Sequence, residues 1–157
     1  MNLCRAKKLC SQDDAWVMGY PVSCSKDDDA VCDRIYTGYD VYHVRSDTVS
    51  PLVHQDNSDN TRTGLGLTIY EGDIIRVGTD YDSLDGFSRT SYGNYLCEYS
   101  DRLKAYVFYY IDPNDGVQRD GDIWYWSEII EDLSDISVIG NKWDNPGMLS
   151  ATESEDI

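Results

Sequence analysis

The chain has 157 residues, of which 41% are hydrophobic, with 29 acidic and 13 basic side chains and a net charge of −16. That length suits one domain with a real core, and that apolar fraction excludes a disordered polar tail. Residues 1–78 carry 12 acids and 8 bases, net −4, whereas residues 79–157 carry 17 and 5, net −12. The C-terminal half is therefore set against direct contact with a nucleic-acid backbone or an anionic membrane surface. An acidic face can instead be steered onto a basic partner, or can serve solubility alone.

Residues 3–8 read as a first strand, with Arg5 and Lys7 on one face and Cys4 and Ala6 on the other. After a turn at residues 11–14, residues 15–20 read as a second strand ending near Pro21, so the chain begins with a hairpin. Residues 26–29 form an acidic loop. Ile35-Tyr36 and residues 39–44 read as further strands. Residues 46–60 contain Pro51 and a polar cluster at 55–60, and that cluster reads as a flexible loop. At Glu71-Gly72-Asp73 a turn is expected, because Gly takes φ > 0 and Asp bonds nearby backbone. A strand carrying Ile74, Ile75 and Val77 into the core follows it.

Residues 79–94 read as a long loop or weak hairpin, and residues 95–99 and 105–111 as strands. Asp112-Pro113-Asn114-Asp115-Gly116 is a turn leading to a strand over 122–126. Trp126, Ile129, Ile130 and Leu133 fall at i, i+3, i+4 and i+7, which predicts one short helix over about 127–133. Residues 136–141 are the last strand, followed by a turn at Asn145-Pro146-Gly147. We expect one domain over 1–150 and an acidic tail over 151–157. Many short strands and one helix predict a mainly-β fold, specifically a small, strongly bent, SH3-like barrel with β-rich elaboration. An α+β arrangement is the alternative.

Five cysteines, Cys4, Cys10, Cys24, Cys32 and Cys97, form no C-x-x-C pair. Arg5, Lys7 and Lys8 interrupt any apolar start, and no run approaches the ~20 residues of a membrane span. The expectation is a cytoplasmic protein with reduced thiols.

Three separated pieces resemble the YopX family of small phage and prophage proteins. They are Arg5-Ala6-Lys7 with Trp16-Val17-Met18-Gly19-Tyr20, Thr63-Gly64-Leu65 with Ile69-Tyr70-Glu71-Gly72-Asp73-Ile74, and Val138-Ile139-Gly140-Asn141 with Asp144-Asn145-Pro146 and Leu149. The order and approximate spacing agree over residues 5–149. Departures fall in the middle, where only Gly66-Leu67-Thr68 separates the two parts of the second piece and residues 52–62 are an insertion. The resemblance implies a phage or prophage origin, so the cytoplasm expected above is that of the host cell. It brings no catalytic residues.

The chemistry-bearing motifs point away from an enzyme. Glu71 and Asp73 flank a turn and read as structural rather than as an acid–base pair. Asn141 reads as a turn or hydrogen-bonding residue. His43 and His54 lack cysteines at zinc spacing. Asp112-x-Asn114-x-Gly116 puts Gly where an EF-hand needs a ligand. We therefore expect no catalytic residues, no metal and no cofactor. The candidate binding surface is aromatic and acidic: Tyr109, Trp124 and Trp126, rimmed by Asp112, Asp115, Asp120, Asp122 and Glu128. If these segments are strands, alternate rings point to opposite faces, so one set is core.

Such a surface suits a host basic or nucleic-acid-binding protein rather than nucleic acid itself. The leading function is a non-enzymatic accessory protein that inhibits its target by mimicking nucleic acid, for instance a defence nuclease in the manner of an anti-CRISPR. The alternatives are a small-ligand binder for a nucleotide-like metabolite, which needs Arg5, Arg34, Arg45, Arg76 and Arg89 to converge, and a phage structural or assembly component. A homo-oligomer stays open.

Overall fold

The computed structural model describes residues 3–9, 15–23, 32–55, 67–120, 123–131 and 135–150. The expected turn at 11–14, the acidic loop at 26–29, the polar cluster at 56–60, the motif Thr63-Gly64-Leu65 and the tail at 151–157 lie outside these residues. The chain divides into two compact units, Met1–Val53 and His54–Ile157. It is mainly β: the described residues hold twelve strands and one α-helix. No described helix is long and apolar enough to cross a membrane.

In the first unit, β1 (Cys4–Lys7) and β2 (Trp16–Ser23) form the expected N-terminal hairpin, with Cys4 opposite Gly19 and Lys7 opposite Trp16. Next come β3 (Cys32–Tyr36), β4 (Val41–His43) and β5 (Ser50–Gln55), and the strand order is β4-β3-β2-β1-β5. The alternation of β1 works as read from the sequence. Cys4 and Ala6 turn inward onto Val17, Ile35 and Val44, while Arg5 and Lys7 lie along the Trp16 ring, 4.5 and 5.6 Å from its centre. Gly19 has no room for a side chain: a Cβ there would run into the carbonyl oxygen of Tyr36.

Ahead of the polar cluster, the stretch with Pro51, for which no strand is expected, is regular structure. Residues Ser46–Thr48 make a short 3-10 turn and Ser50–Gln55 is a strand. Pro51 is tolerated because the ladder bond there is donated by its neighbour, from Leu52 N–H to the Leu3 carbonyl at 2.9 Å. Thr48 is fully buried and holds this corner, its hydroxyl accepting from Lys7 N–H at 2.9 Å and donating to the Arg45 carbonyl at 2.7 Å.

The second unit contains β6 (Thr68–Tyr70), β7 (Asp73–Asp82), β8 (Ser88–Ser100), β9 (Ala105–Asp112), β10 (Gly116–Val117), β11 (Ile123–Trp124), α1 (Trp126–Glu131) and β12 (Asp135–Asn141). Its sheet runs β10-β9-β8-β7-β12, with β11 also on β9. The sheet is open. Closure into the expected barrel would need the end strands to pair, but β12 pairs with β7 while β10 and β11 pair with β9. The six residues of α1 leave the fold mainly β rather than α+β.

Register sorts the core onto the two faces. Ile75, Val77, Cys97, Phe108 and Ile136 share one face, and Ile74, Leu96, Val107 and Ile111 the other; all ten-percent-exposed or less, they make both faces apolar at the centre of the sheet. Val117, Met148 and Leu149 pack on the second of these faces.

Two of the sequence motifs meet side by side here. In the Glu71–Asp73 turn, Gly72 takes φ 89°, and Asp73, 1% exposed, accepts from Tyr70 N–H at 2.8 Å. Gly72 donates to the Cys97 carbonyl at 2.7 Å and accepts from Lys142 N–H at 2.9 Å. Asn141 sits opposite Asp73 and builds the next turn, its Oδ1 accepting from the amides of Trp143 and Asp144 at 3.0 and 2.9 Å. A Cβ on Gly72 would collide with the Trp143 ring, so each turn shapes the other. Asn141 is thus a turn-builder, as its sequence context suggested.

Candidate functional site

Strand β9 positions most of the candidate residues. At its end, Asp112 Oδ1 accepts from the amides of Asn114 and Asp115 at 2.7 and 3.1 Å, and Gly116 follows with φ 79°. Asp112 is therefore half-buried and occupied in making the turn. Asp115 and Asp120 are exposed beyond it, and Asp122 lies outside the described residues.

The register of β11 on β9 separates the aromatics. Ile123 faces Tyr109 and Trp124 faces Phe108. Trp124 therefore shares a face with Phe108, and Tyr109 points to the opposite one. Tyr109 is 8% exposed and lies beneath the Arg119 guanidinium, 5.3 Å from its ring centre. Arg119 also pairs with Glu98. Tyr109 is thus part of the core and does not share a surface with Trp124. Trp126 is half-buried at the start of α1, its ring 5.9 Å from that of Phe108 and 4.4 Å from that of His54. It fixes the helix, and Ile129, one turn on, is buried beneath it as the spacing predicted.

The remaining two residues come together. Trp124 and Glu128 line a cavity of about 280 Å³ with Val77, Thr79, Tyr95 and Ile129. Val77, Thr79, Tyr95 and Trp124 reach it because the registers of β7, β8, β9 and β11 put them on one face. Glu128 and Ile129 reach it from α1. Tyr95 is held edge-on to Tyr110 at 5.6 Å. Burial, with Tyr110 adjoining, raises its hydroxyl pKa above the ordinary tyrosine value and keeps the ring neutral. Tyr95 was legible as a strand residue, but its place in this cavity depends on non-local pairing.

A second surface feature is the β7–β8 arm. Residues 79–94 belong to a regular hairpin, with Thr79 opposite Ser91 and Asp82 opposite Ser88. Its tip is tightly bonded. Ser83 N–H donates to the Phe87 carbonyl at 3.0 Å, Phe87 N–H to Asp85 at 3.1 Å, and Arg89 to Asp85 at 2.6 Å. The Ser83 hydroxyl and then the Arg89 guanidinium hold the Asp85 carboxyl below the usual carboxylate range. This frame presents Leu84, fully exposed, and Phe87, 69% exposed, to solvent. The Asp85-Gly86 pair was the available signal for it.

A further groove of about 270 Å³ is lined by Arg76, Tyr92, Asn94, Tyr110, Ile111, Pro113 and Ile139 among others, with the Arg76 guanidinium 4.2 Å over the Tyr92 ring. Arg89 is bound to Asp85 and Arg45 to Asp47, so these arginines are engaged locally. Cys97 is fully buried, and burial, followed by the charges of Asp73, Glu71 and Glu98, pushes its thiol far above the usual range. It is held as a neutral thiol, unsuited to nucleophilic attack. Among the described residues no group of three or more His, Cys, Asp or Glu side chains is placed to hold a metal ion.

Comparison with protein-family models, with curated proteins and with solved structures found no match to this chain.

Proposed function

We propose that this is a non-enzymatic, YopX-like phage or prophage accessory protein that acts in the host cytoplasm by binding a basic host protein through its acidic, aromatic C-terminal unit. A nucleic-acid-binding protein is the fitting target, with nucleic-acid mimicry of a defence nuclease as the concrete form. One observation carries the reading. Of the five basic residues after position 78, Arg89 is bound to Asp85, Arg119 to Glu98 and Tyr109, and Lys142 lies over Trp143. Three of these five cations are engaged within the fold and acids outnumber bases 17 to 5 after position 78, so surplus carboxylates, among them Asp115, Asp120 and Glu128 on the exposed surface, are left for a partner. Spaced carboxylates reproduce the charge of a phosphate backbone, and such attraction acts within a Debye length.

The β7–β8 arm supports the same reading, since exposed apolar anchors within a charged frame suit protein recognition more than solubility. The test is capture of partners from the bacterial host on immobilised protein at two ionic strengths, about 0.05 M and about 0.5 M, followed by mass spectrometry. The expected result is a basic, nucleic-acid-binding protein retained at low salt and released at high salt. Retention unchanged by salt overturns the mimic.

A further inference from the structure

We propose that the cavity lined by Tyr95, Trp124 and Glu128 is a socket for one organic cation, the side chain of an arginine or lysine presented by a protein. This rests on the reading that the partner is a basic protein, and adds the place where one of its cations seats. Three features point to a cation. The two aromatic rings offer electron-rich surfaces to a positive group, and a guanidinium stacks on such rings especially well. Among the described lining residues the one charged group is a carboxylate, Glu128, and none is Lys or Arg. The walls of Val77 and Ile129 accommodate the aliphatic stem that Arg and Lys carry behind their charge.

Size narrows the choice. About 280 Å³ lies just below the range of roughly 300–1,000 Å³ for small-molecule sites. It suits a side chain better than a nucleotide, and the Glu128 carboxylate would repel a phosphate. The socket is also preformed. Tyr95 is fixed edge-on against Tyr110, Trp124 is held by β-pairing opposite Phe108, and α1 is seated by buried Ile129 and by the ring of Trp126. Little ordering is then required when the cation enters.

The test uses the isolated chain and two probes of one shape, N-acetyl-arginine amide and its neutral isostere N-acetyl-citrulline amide, followed through the ¹H–¹⁵N indole signals. Expected is a saturable millimolar response to the arginine probe at the Trp124 indole, with citrulline at least roughly tenfold weaker. Glu128→Gln, at an exposed position, should weaken the arginine probe about threefold with the melting temperature unchanged. Tyr95→Leu should weaken the arginine response at the Trp124 indole, and circular dichroism reports whether that variant is folded. Equal binding of citrulline, or an unaltered arginine affinity in Glu128→Gln, overturns the socket. A chain that ignores both probes yet still releases a basic host protein at high salt also overturns it, while leaving the proposed function standing.

Discussion

Two tight turns of the second unit invite comparison, the buried pair around Gly72 and Asn141 and the exposed tip at Ser83–Phe87. Both are built from Asp, Asn, Ser and Gly, and in both a side-chain oxygen accepts from a backbone amide two or three residues away. They differ in what the turn presents. The first closes over Asp73 and packs Gly72 against Trp143, so its polar groups serve the fold alone. The second closes over nothing and holds Leu84 and Phe87 in water. Local turn chemistry thus sets backbone geometry at both places, and burial alone distinguishes them.

The largest effect should come from forcing the buried turn. Gly72→Val adds a β-branched side chain at φ 89° where the Trp143 ring leaves no room. Destabilisation above about 3 kcal/mol is expected from chemical denaturation. A variant as stable as the parent would detach this turn from the fold. Asp73→Ala removes a buried acceptor and leaves Tyr70 N–H without its bond. About 2–3 kcal/mol is expected, measured the same way.

A smaller, pH-dependent effect should come from Cys97, beside the same turn. Its folded pKa lies above the ordinary thiol value of 9.0, so the folded state holds a proton that the unfolded chain gives up. The sign follows: this contribution to stability is complete below pH 9 and is lost as pH rises through the range up to the folded pKa. Alkaline titration of stability should fall less steeply in Cys97→Ala than in the parent. Identical slopes would contradict the assignment. The smallest effect belongs to the exposed tip, where Phe87→Ser should change stability by less than about 0.5 kcal/mol. Weakened partner capture in that stable variant would mark the tip as a recognition element, and strong destabilisation would show that Phe87 packs after all.

The contrast also explains what could be read from the sequence. The β-branched run Ile74, Ile75 and Val77 and the Trp126–Ile129 spacing declare a strand and a helix, because burial imposes periodicity there. Alternation in β1 declares the face of Cys4 and Ala6. The arm was harder to read: both faces of its outer half are exposed, so no alternation marks it as strand. Strand β5 was hidden by Pro51, harmless only because Leu52 supplies the bond. In the candidate surface, the turn role of Asp112 is local and legible from Asp112-Pro113-Asn114-Asp115-Gly116. The faces of Tyr109 and Trp124 are set by the register of β11 on β9, which composition does not encode. The meeting of Tyr95 with Trp124 has the same origin, and whether an open sheet closes into a barrel is likewise decided by its end strands.

Recognition by surplus charge on the C-terminal unit is the central claim, and a charge-neutralised protein tests it most directly. Asp115→Asn, Asp120→Asn and Glu128→Gln combined remove three exposed carboxylates without touching the core. The account predicts an unchanged melting temperature and roughly tenfold or greater loss of affinity for the captured basic protein at low salt. An equally stable triple variant that binds as tightly as the parent would contradict it.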